Sequence, residues 1–508
     1  MENDRAHALI LLEQRMIRDC HRTKYGEYKQ PHHQSRQGTP NVNIHIHWAA
    51  LFLMLFNKKG NIIFINCSFF NARMNAGLSK NVPAPGSAAK MPRRQFLRGA
   101  LAAAVLPGFF REASRSPLAP FDRQMESFMA ARNIPGGALA ILRHGRLVYA
   151  RGYGWANREE RIAVQPTTLF RLASLSKPIT ALAVLRLAQA GRLSLDEPAF
   201  ARLGLASLPG REKDPRLGRV TLRHLLQHTG GWDRAASGDP MFMSRPIAKA
   251  CGVPSPPGPR DIIRYMMGKP LDFDPGTRHA YSNFGYCILG RLIEAVTRHS
   301  YEAWIRHDLG TVAGIQSLKL GRSLLRNAYP EETRYYMADN REGPNVFDGE
   351  PSPTPAPYGT FCLEAMDAHG GWICSVVDLM RLSAAIMNQE KPLLKSDWWQ
   401  EMVSPPAPPV AREENGRVKD AYYGCGWMVR PTQMPQGYNL WHNGSLPGTF
   451  TFWAILSHGV AWAALFNQRR EGEGLPDGEI DALLHRAAGE IGEWPDDDLF
   501  PLFSNKQP

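Results

Sequence analysis

One stretch of this 508-residue chain decides its fold, namely Phe170-Arg171-Leu172-Ala173-Ser174-Leu175-Ser176-Lys177-Pro178. It opens an apolar helix that we expect to run to Ala190 and to end at Gly191, a residue suited to the position after a helix. Ser174 and Lys177 are three residues apart, so their hydroxyl and amine share one helix face. Burial of this helix would lower the pKa of the lysine, and a neutral amine can take a serine proton. The stretch therefore predicts a serine nucleophile with a lysine base.

The Ser-x-x-Lys spacing is a weak signal when it stands alone. A second copy occurs at Ser87 to Lys90, in a Pro/Gly-rich context that does not favour a helix. An alternative for Ser174 is an ordinary serine that caps the N-terminus of its helix. The nucleophile assignment therefore depends on further motifs elsewhere in the chain.

The second motif is Tyr281-Ser282-Asn283, which is the only Tyr-x-Asn in the chain. It lies between a Pro275-Gly276 turn and an apolar helix predicted over 286–296. A phenol near Lys177 can relay a proton to a leaving group, and Asn283 can hold the amide or carbonyl of a substrate. Tyr281 is therefore a candidate catalytic residue and Asn283 a candidate substrate-binding residue.

The third motif is His442-Asn443-Gly444, predicted to lie immediately before a final hairpin over 449–456 and 460–466. A strand that enters the cleft after Gly444 can offer a backbone N–H as half of an oxyanion hole, and Ser174 N–H can supply the other half. His-x-Gly also occurs at His228 and His369, but chain order and the following strands favour His442. A structural loop histidine is the alternative for His442, and His369 is the next candidate for the motif.

Hydrophobic patterns at the two ends of the body predict strands, and those between them predict helices. A short helix to about Arg132 precedes a hairpin over 138–142 and 147–152, and a last helix follows Asp477. Helical patterns dominate residues 174–400. We therefore predict an α+β fold, with an antiparallel sheet flanked by helices and a mostly helical second lobe. A cleft between two lobes is where a small-molecule site is expected.

The net charge of +13 is concentrated at the front of the chain. Residues 1–90 carry +7 and residues 91–116 carry +4, which leaves +2 for residues 117–508. A nucleic-acid partner therefore has little electrostatic support in the body. No apolar run reaches the ~18 to 20 residues that a membrane-spanning helix needs, so we expect no integral membrane segment.

Composition also divides the chain into three parts. Residues 1–90 contain six Lys and six Arg, whereas the rest contains nine Lys and 39 Arg. We interpret residues 1–90 as a poorly structured extension, which an over-extended reading frame would explain if Met91 is the true start. Residues 91–116 resemble a twin-arginine export signal, with Arg93-Arg94 before an apolar stretch. We therefore expect a periplasmic or secreted protein whose active domain is 117–508.

Together, the three motifs resemble those of the serine β-lactamase-like family, which includes class C β-lactamases, Ser-x-x-Lys DD-peptidases, D-aminopeptidases and family VIII carboxylesterases. The resemblance covers about residues 117–490. Other segments that look like recurrent family segments are Leu225 to Gly231, Asp274 to Thr277 and Gly370 to Ser375. The order and spacing of the whole set are more specific than any one motif.

The resemblance implies a role for each motif residue. Ser174 would be the acyl-enzyme nucleophile, with Lys177 and Tyr281 as the proton-transfer pair. Asn283 would orient the substrate beside His442, Asn443 and Gly444. The backbone N–H groups of Ser174 and Ser445 would form the oxyanion hole. No cofactor or metal is implied.

The third motif departs from the family pattern in an informative way. True β-lactamases of this group have Lys-Thr-Gly or Lys-Ser-Gly where this chain has His442-Asn443-Gly444, so a fixed cation for a substrate carboxylate is missing. Because a histidine with a reference pKa of ~6.5 is mostly neutral at pH 7, an ester or small peptide substrate fits better. The alternatives are a β-lactamase or D-Ala-D-Ala carboxypeptidase, in which a nearby Arg replaces the lysine, and a catalytically silent member that binds cell-wall peptides or a protein.

Overall fold

The computed structural model describes residues 116–434, 437–472 and 474–504, together with the backbone of two short strands nearer the N-terminus. These strands, β1 (Met54–Phe56) and β2 (Ile62–Phe64), pair antiparallel within the unit Met1–Pro92. The rest of the predicted extension, and all but the last residue of the predicted export signal, lie outside the described residues.

The second unit, Arg93–Pro508, carries the other elements. Its strands are β3 Gly136–Arg143, β4 Arg146–Asn157, β5 Ile162–Ala163, β6 Phe170–Arg171, β7 Lys319–Leu320, β8 Glu342–Gly343, β9 Thr354–Pro355, β10 Trp372–Cys374, β11 Tyr422–Tyr423, β12 Met428–Pro431, β13 Tyr438–Leu446, β14 Thr449–Ile455 and β15 Val460–Phe466. Its α-helices are α1 Ala119–Arg132, α2 Ser176–Gln189, α3 Leu222–Leu226, α4 Arg234–Ser237, α5 Ser244–Cys251, α6 Pro259–Met267, α7 Asn283–Thr297, α8 Tyr301–Ile305, α9 Thr311–Ala313, α10 Asp367–Gly370, α11 Val376–Met387, α12 Ser396–Val403 and α13 Glu479–Gly489.

An antiparallel sheet of eight strands, in the order β11-β12-β13-β14-β15-β3-β4-β5, forms the centre of this unit. β14 and β15 are buried along their whole length, which explains why β15 is entirely apolar and why β14 carries no charged residue. Helices α1 and α13 pack together over one face of the sheet, and α11 packs on the other face beside the helical lobe. The sheet is therefore the middle layer between two sets of helices.

These observations confirm the predicted α+β fold, and the two terminal hairpins lie within a few residues of their predicted positions. His442-Asn443-Gly444 precedes the final hairpin, as predicted, but the strand that was expected to begin after Gly444 begins earlier. The motif lies inside β13, which pairs with β14 from Leu440 to Leu446. Asn and Gly favour turns over strands, and here the tertiary packing of the strand overrides that preference.

The described residues contain neither a membrane-spanning helix nor a disulfide. No helix in them is both long and apolar enough to cross a membrane. The five cysteines of the second unit are all free thiols, and four of them are buried. The fold of this unit is therefore held by its core and hydrogen bonds rather than by disulfides.

Candidate active site

Ser174 occupies an unusual position at the start of the buried helix. It lies in a 3₁₀ turn, Ala173–Leu175, that leads directly into α2. Between Leu169 and Leu185 every residue is buried except Ser174. Ala173 has a φ of 48°, in the left-handed region that non-glycine residues rarely adopt. The chain therefore presents one hydroxyl from an otherwise enclosed segment.

The amine of Lys177 is surrounded by three oxygen atoms. Its Nζ lies 3.0 Å from Ser174 Oγ, 2.8 Å from Asn283 Oδ1 and 3.0 Å from the carbonyl oxygen of His369. A neutral amine has two N–H donors and one lone pair. Because the amide and carbonyl oxygens can only accept, they take both donors and leave the lone pair for the Ser174 hydroxyl. This geometry suits a base that removes the serine proton.

The electrostatic environment of Lys177 favours the neutral amine. The side chain is completely buried, and this desolvation holds its pKa well below the ordinary value. The positive charge of Arg234 lowers the pKa further, whereas the negative charge of Asp239 opposes the change. Burial thus produces the direction of shift that the sequence analysis expected.

Tyr281 lies beside the same amine. Its ring centroid is 4.7 Å from Lys177 Nζ. Burial raises the pKa of the phenol, and the nearby Ser174 side chain only partly opposes that rise. Tyr281 therefore stays protonated at neutral pH, which suits a proton donor rather than a base.

Asn283 begins helix α7, where Ser282 caps the helix by accepting a hydrogen bond from the backbone N–H of Gly285. Its Oδ1 accepts from Lys177, and its Nδ2 donates to Asp239 Oδ2 at 2.6 Å. The structure thus places Asn283 against the lysine. The direct contact with a substrate that we predicted for it stays a prediction. Asp239 was missed because its only sequence signal, an Asp before Pro240, indicates a helix cap.

Strand β13 passes very close to the nucleophile. A Cβ atom added at Gly444 would lie 2.4 Å from the carbonyl oxygen of Leu172 and 3.0 Å from the backbone nitrogen of Ser174. Thr451, on the adjacent strand, donates its hydroxyl to the same Leu172 carbonyl at 2.8 Å. β12 pairs only with residues 438–441 of β13, so it does not cover the outer edge of the strand at Ser445. These contacts hold the predicted oxyanion-hole residues, Ser174 and Ser445, on adjoining segments.

His442 is buried, with 3% of its surface exposed. Its Nδ1 lies 2.7 Å from the carbonyl oxygen of Asn443 and its Nε2 lies 3.0 Å from the hydroxyl of Tyr423. Because a carbonyl only accepts, Nδ1 carries the proton and Nε2 accepts from the phenol. Burial, and secondarily the nearby Lys177, lower the pKa of His442 to about 3. The residue at the family lysine position is therefore an uncharged imidazole with a fixed tautomer.

The other two His-x-Gly motifs also lie near Lys177. His369, in α10, contributes the carbonyl oxygen described above. His228 packs its ring 4.3 Å from that of Tyr281 and 4.4 Å from that of Tyr423. Burial holds the pKa of both imidazoles well below the ordinary histidine value. The three copies that we treated as competitors thus all border the site.

One arginine adjoins the outer side of β13. Arg469 Nη1 donates to Ser445 Oγ at 3.2 Å, and its Nε donates to Glu471 at 2.5 Å. Glu471 also pairs with Arg341 at 2.8 Å, so two arginines share one carboxylate. A substitute arginine near the third motif is one of the predicted alternatives, but its position is not readable from the sequence, because Arg469 lies on a segment after β15. No group of acidic, histidine or cysteine side chains in the described part of the chain could hold a metal ion.

The structure has an antiparallel sheet beside a helical lobe, with a Ser-x-x-Lys pair at their junction. This is the arrangement expected of the serine β-lactamase-like family. The sequence profile of the Beta-lactamase family matches residues 121–486. The chain therefore belongs to the Beta-lactamase family.

Individual relatives agree with this assignment. Esterase EstB of Burkholderia gladioli is 33% identical over 204 residues, which cover 39% of this chain and 50% of EstB. Protein flp of Staphylococcus aureus is 28% identical over 187 residues, or 37% of this chain and 35% of flp. The chain thus spans about a third of flp and half of EstB. Among solved structures, the octameric penicillin-binding protein homologue from Pyrococcus abyssi has a TM-score of 0.54 and 25% identity, covering 74% of this chain and 78% of its own.

Proposed function

We propose that this protein is a serine hydrolase that forms and hydrolyses an acyl-enzyme on esters or small amides. The observation that carries the proposal is the arrangement around Lys177. Two acceptor oxygens occupy the donors of its amine, and the remaining lone pair faces Ser174 at 3.0 Å. Complete burial lowers the pKa of the amine and so favours its neutral form, in which the base is already paired with the nucleophile.

The residues of the site suggest a sequence of steps. Lys177 takes the proton of the Ser174 hydroxyl while Oγ attacks the substrate carbonyl carbon. The oxygen of that carbonyl becomes negative and is held by the backbone N–H groups of Ser174 and Ser445. The intermediate collapses to an acyl-enzyme, and the leaving alkoxide or amine receives a proton from Lys177 through Tyr281. Water then attacks the carbonyl carbon of the acyl-enzyme while Lys177 again accepts the proton. The second intermediate collapses by breaking the bond to Ser174 Oγ, which takes the proton back from Lys177, and the carboxylic acid is released.

The neutral state of His442 supports an ester or an uncharged amide as the substrate. With a pKa of about 3, this imidazole offers no positive charge to a substrate carboxylate at pH 7. EstB, one of the matched relatives, is an esterase by name. We therefore place neutral acyl substrates first.

The test offers three substrates to the purified full chain, namely a p-nitrophenyl butyrate ester, nitrocefin and a peptide ending in D-Ala-D-Ala. The proposal expects turnover of the ester that is lost in Ser174→Ala. Intact-protein mass spectrometry should show the added butyryl group on the wild type but not on that variant. A wild-type protein that turns over none of the three and acquires no acyl group would support the catalytically silent alternative.

A second candidate function is hydrolysis of substrates that carry a carboxylate, as β-lactams and D-Ala-D-Ala peptides do. It is favoured by Arg469, which donates to the side chain of Ser445 on the oxyanion-hole strand. The arginine is 23% exposed, so one side remains open to solvent. If it receives a substrate carboxylate, Arg469→Gln should lower nitrocefin turnover and leave ester turnover unchanged. The neighbouring Arg470→Gln is the matched control, because the hydrogen bonds of Arg470 go to Asp477 and Gly474 rather than to Ser445.

We also propose that the protein is exported through the twin-arginine route. Support comes from Arg93-Arg94 followed by the apolar stretch to Phe110. Mass spectrometry of the N-terminus of the protein from its native cells tests this idea. A mature chain that begins beyond Phe110 is expected, and a mature chain that retains residues 1–90 would contradict it.

A further inference from the structure

Asp239 lies behind the Ser174–Lys177 pair and reaches it through one side chain. Asn283 Nδ2 donates to Asp239 Oδ2 at 2.6 Å, while Asn283 Oδ1 accepts from Lys177 Nζ at 2.8 Å. The other carboxylate oxygen, Asp239 Oδ1, accepts from the backbone N–H of Met241 at 3.1 Å. Asp239 is thereby fixed at the start of the 3₁₀ turn Pro240–Phe242. A continuous chain of hydrogen bonds connects this turn to the amine.

This chain determines which end of the Asn283 carboxamide faces Lys177. The oxygen and NH₂ ends of a carboxamide have nearly the same size and shape, so packing alone does not choose between them. An ionised carboxylate can only accept hydrogen bonds, so it must face the NH₂ end. The amide oxygen is then the group that meets Lys177.

The orientation of the Asn283 carboxamide matters because it determines where the lone pair of Lys177 points. With the amide oxygen in place, one N–H of the amine is directed at Asn283 and the second at the carbonyl of His369. A flipped amide would present an N–H instead, and the lone pair would turn toward Asn283 and away from Ser174. The nucleophile would then lose its proton acceptor.

We infer that Asp239 is a positioning residue, which fixes the orientation of the Asn283 carboxamide and so directs the lone pair of Lys177 at Ser174. The inference rests on the proposed function, in which Lys177 is the base. It assigns Asp239 no contact with the substrate or the reacting atoms.

The charges around Lys177 give this inference a measurable signature. Among the described residues that influence the lysine, Asp239 is the anion that raises its pKa and Arg234 the cation that lowers it. The carboxylate of Asp367 on the adjacent helix α10 is neutralised by Arg291 at 2.5 Å. The other titratable groups facing the amine are uncharged at neutral pH: the imidazoles of His228, His369 and His442 and the phenols of Tyr281 and Tyr286.

The test is the pH profile of kcat/KM for p-nitrophenyl butyrate in the full chain, read at a wavelength where p-nitrophenol and its anion absorb equally. The ascending limb reports deprotonation of Lys177. Asp239→Asn removes the negative charge that stabilises the ammonium, so the limb should move to lower pH by about 1 pH unit. The same variant permits the amide flip, so the plateau should fall by about tenfold or more.

Two matched variants separate this effect from a general disturbance. Arg234→Gln removes the opposing charge, so its ascending limb should move to higher pH. Asp233→Asn alters a carboxylate that also caps a short helix, α4, but that does not bond to Asn283. Its limb should stay at the wild-type pH.

Asp239→Ser covers the case in which Asp239→Asn does not fold, because a serine hydroxyl can still cap the 3₁₀ turn without reaching Asn283. A uniform loss of activity in Asp239→Asn or Asp239→Ser, with the limb at the wild-type pH, would overturn the inference, as would unchanged activity. Ser174→Ala is measured in parallel. If that variant is inactive while the Asp239 limb does not move, only the Asp239 inference fails. If Ser174→Ala remains active, the proposed function itself fails.

Discussion

The two walls of the site are built in opposite ways. In the helical wall, formed by Lys177, Asn283, Asp239 and α10, all but the half-buried Asp239 are buried. Lys177 bonds to Asn283 and to the carbonyl oxygen of His369, and Asn283 bonds to Asp239. The strand wall, formed by β13 and Arg469, leaves Asn443 and Ser445 exposed. An enclosed wall fixes the protonation state and direction of a base, whereas an open one meets the variable part of a substrate. The difference suggests that the helical wall sets the chemistry and the strand wall the selectivity.

The largest effect should come from the reacting pair at the helical wall. Ser174→Ala should lower kcat by at least about 10³-fold for every substrate, and Lys177→Ala nearly as much, because residues that act as one unit lose their effect together. The serine change should alter the free energy of unfolding by only about 1 kcal/mol. Steady-state kinetics and urea unfolding measure both quantities. If either variant kept ester turnover and lost only nitrocefin turnover, the helical wall would not set the chemistry for every substrate.

The next effect should come from the point where the two walls touch. At Gly444→Ala the new methyl group would meet the backbone of Leu172 and Ser174, which cannot rotate away, so β13 must move. Displacing one oxyanion-hole N–H should lower kcat by about 100-fold for esters and β-lactams alike. Gly218→Ala is the control, since no heavy atom beyond its chain neighbours lies within 4 Å of its added Cβ. Equal kinetics in the two variants would contradict the close approach.

A smaller effect, on selectivity, is expected at the strand wall. His442→Lys would replace a neutral imidazole with an amine whose reference pKa is ~10.4, which favours a positive charge at pH 7 far more strongly than imidazole does, so the ratio of kcat/KM for nitrocefin to that for the butyrate ester should rise by about tenfold. The ratio is the quantity to measure, because disturbance of β13 should lower both rates equally. An unchanged ratio would mean that another cation, with Arg469 as the first candidate, already serves the carboxylate.

Both walls contain buried histidines that are uncharged at neutral pH. Changing one of them should affect activity at neutral pH least and should act mainly on the pH dependence of stability. His442 has a folded pKa of about 3, below its unfolded value, so the unfolded chain binds more protons as pH falls below about 6.5. Its contribution to stability is therefore present above that pH and is lost on acidification. His442→Gln should reduce the slope of unfolding free energy against pH by about 1.4 kcal/mol per pH unit between pH 6 and 4. Urea melts across that range test the prediction, and an unaltered slope would show that His442 is not buried.

Local sequence patterns predicted the helical wall better than the strand wall. The Ser174–Lys177 contact follows from the three-residue spacing of the two side chains. The apolar sequence of α2 indicates that this helix is buried. Asp239 could not be found in this way, because its contact with Asn283 spans 44 positions and depends on how a turn packs.

The strand wall is harder to predict for two physical reasons. Whether His442 lies in a strand depends on pairing with β14 rather than on its neighbours in sequence. Arg469 resembles any other arginine in the chain until the fold brings it to Ser445. Spacing along a helix is therefore readable from sequence, and contacts made by a sheet are not.

The pairing of β3 with β15 has a consequence for the order of assembly. Gly137 lies opposite Phe466, so the centre of the sheet joins segments more than three hundred residues apart. Non-local pairing of this kind is slow, because a long loop must close and lose conformational entropy before any stabilising contact forms. Ser174 and Lys177 leave the ribosome long before β13 to β15 do. Under the proposed mechanism, a partly synthesised chain would hold the nucleophile and its base without the oxyanion hole, so hydrolysis would begin only when the last strands are in place.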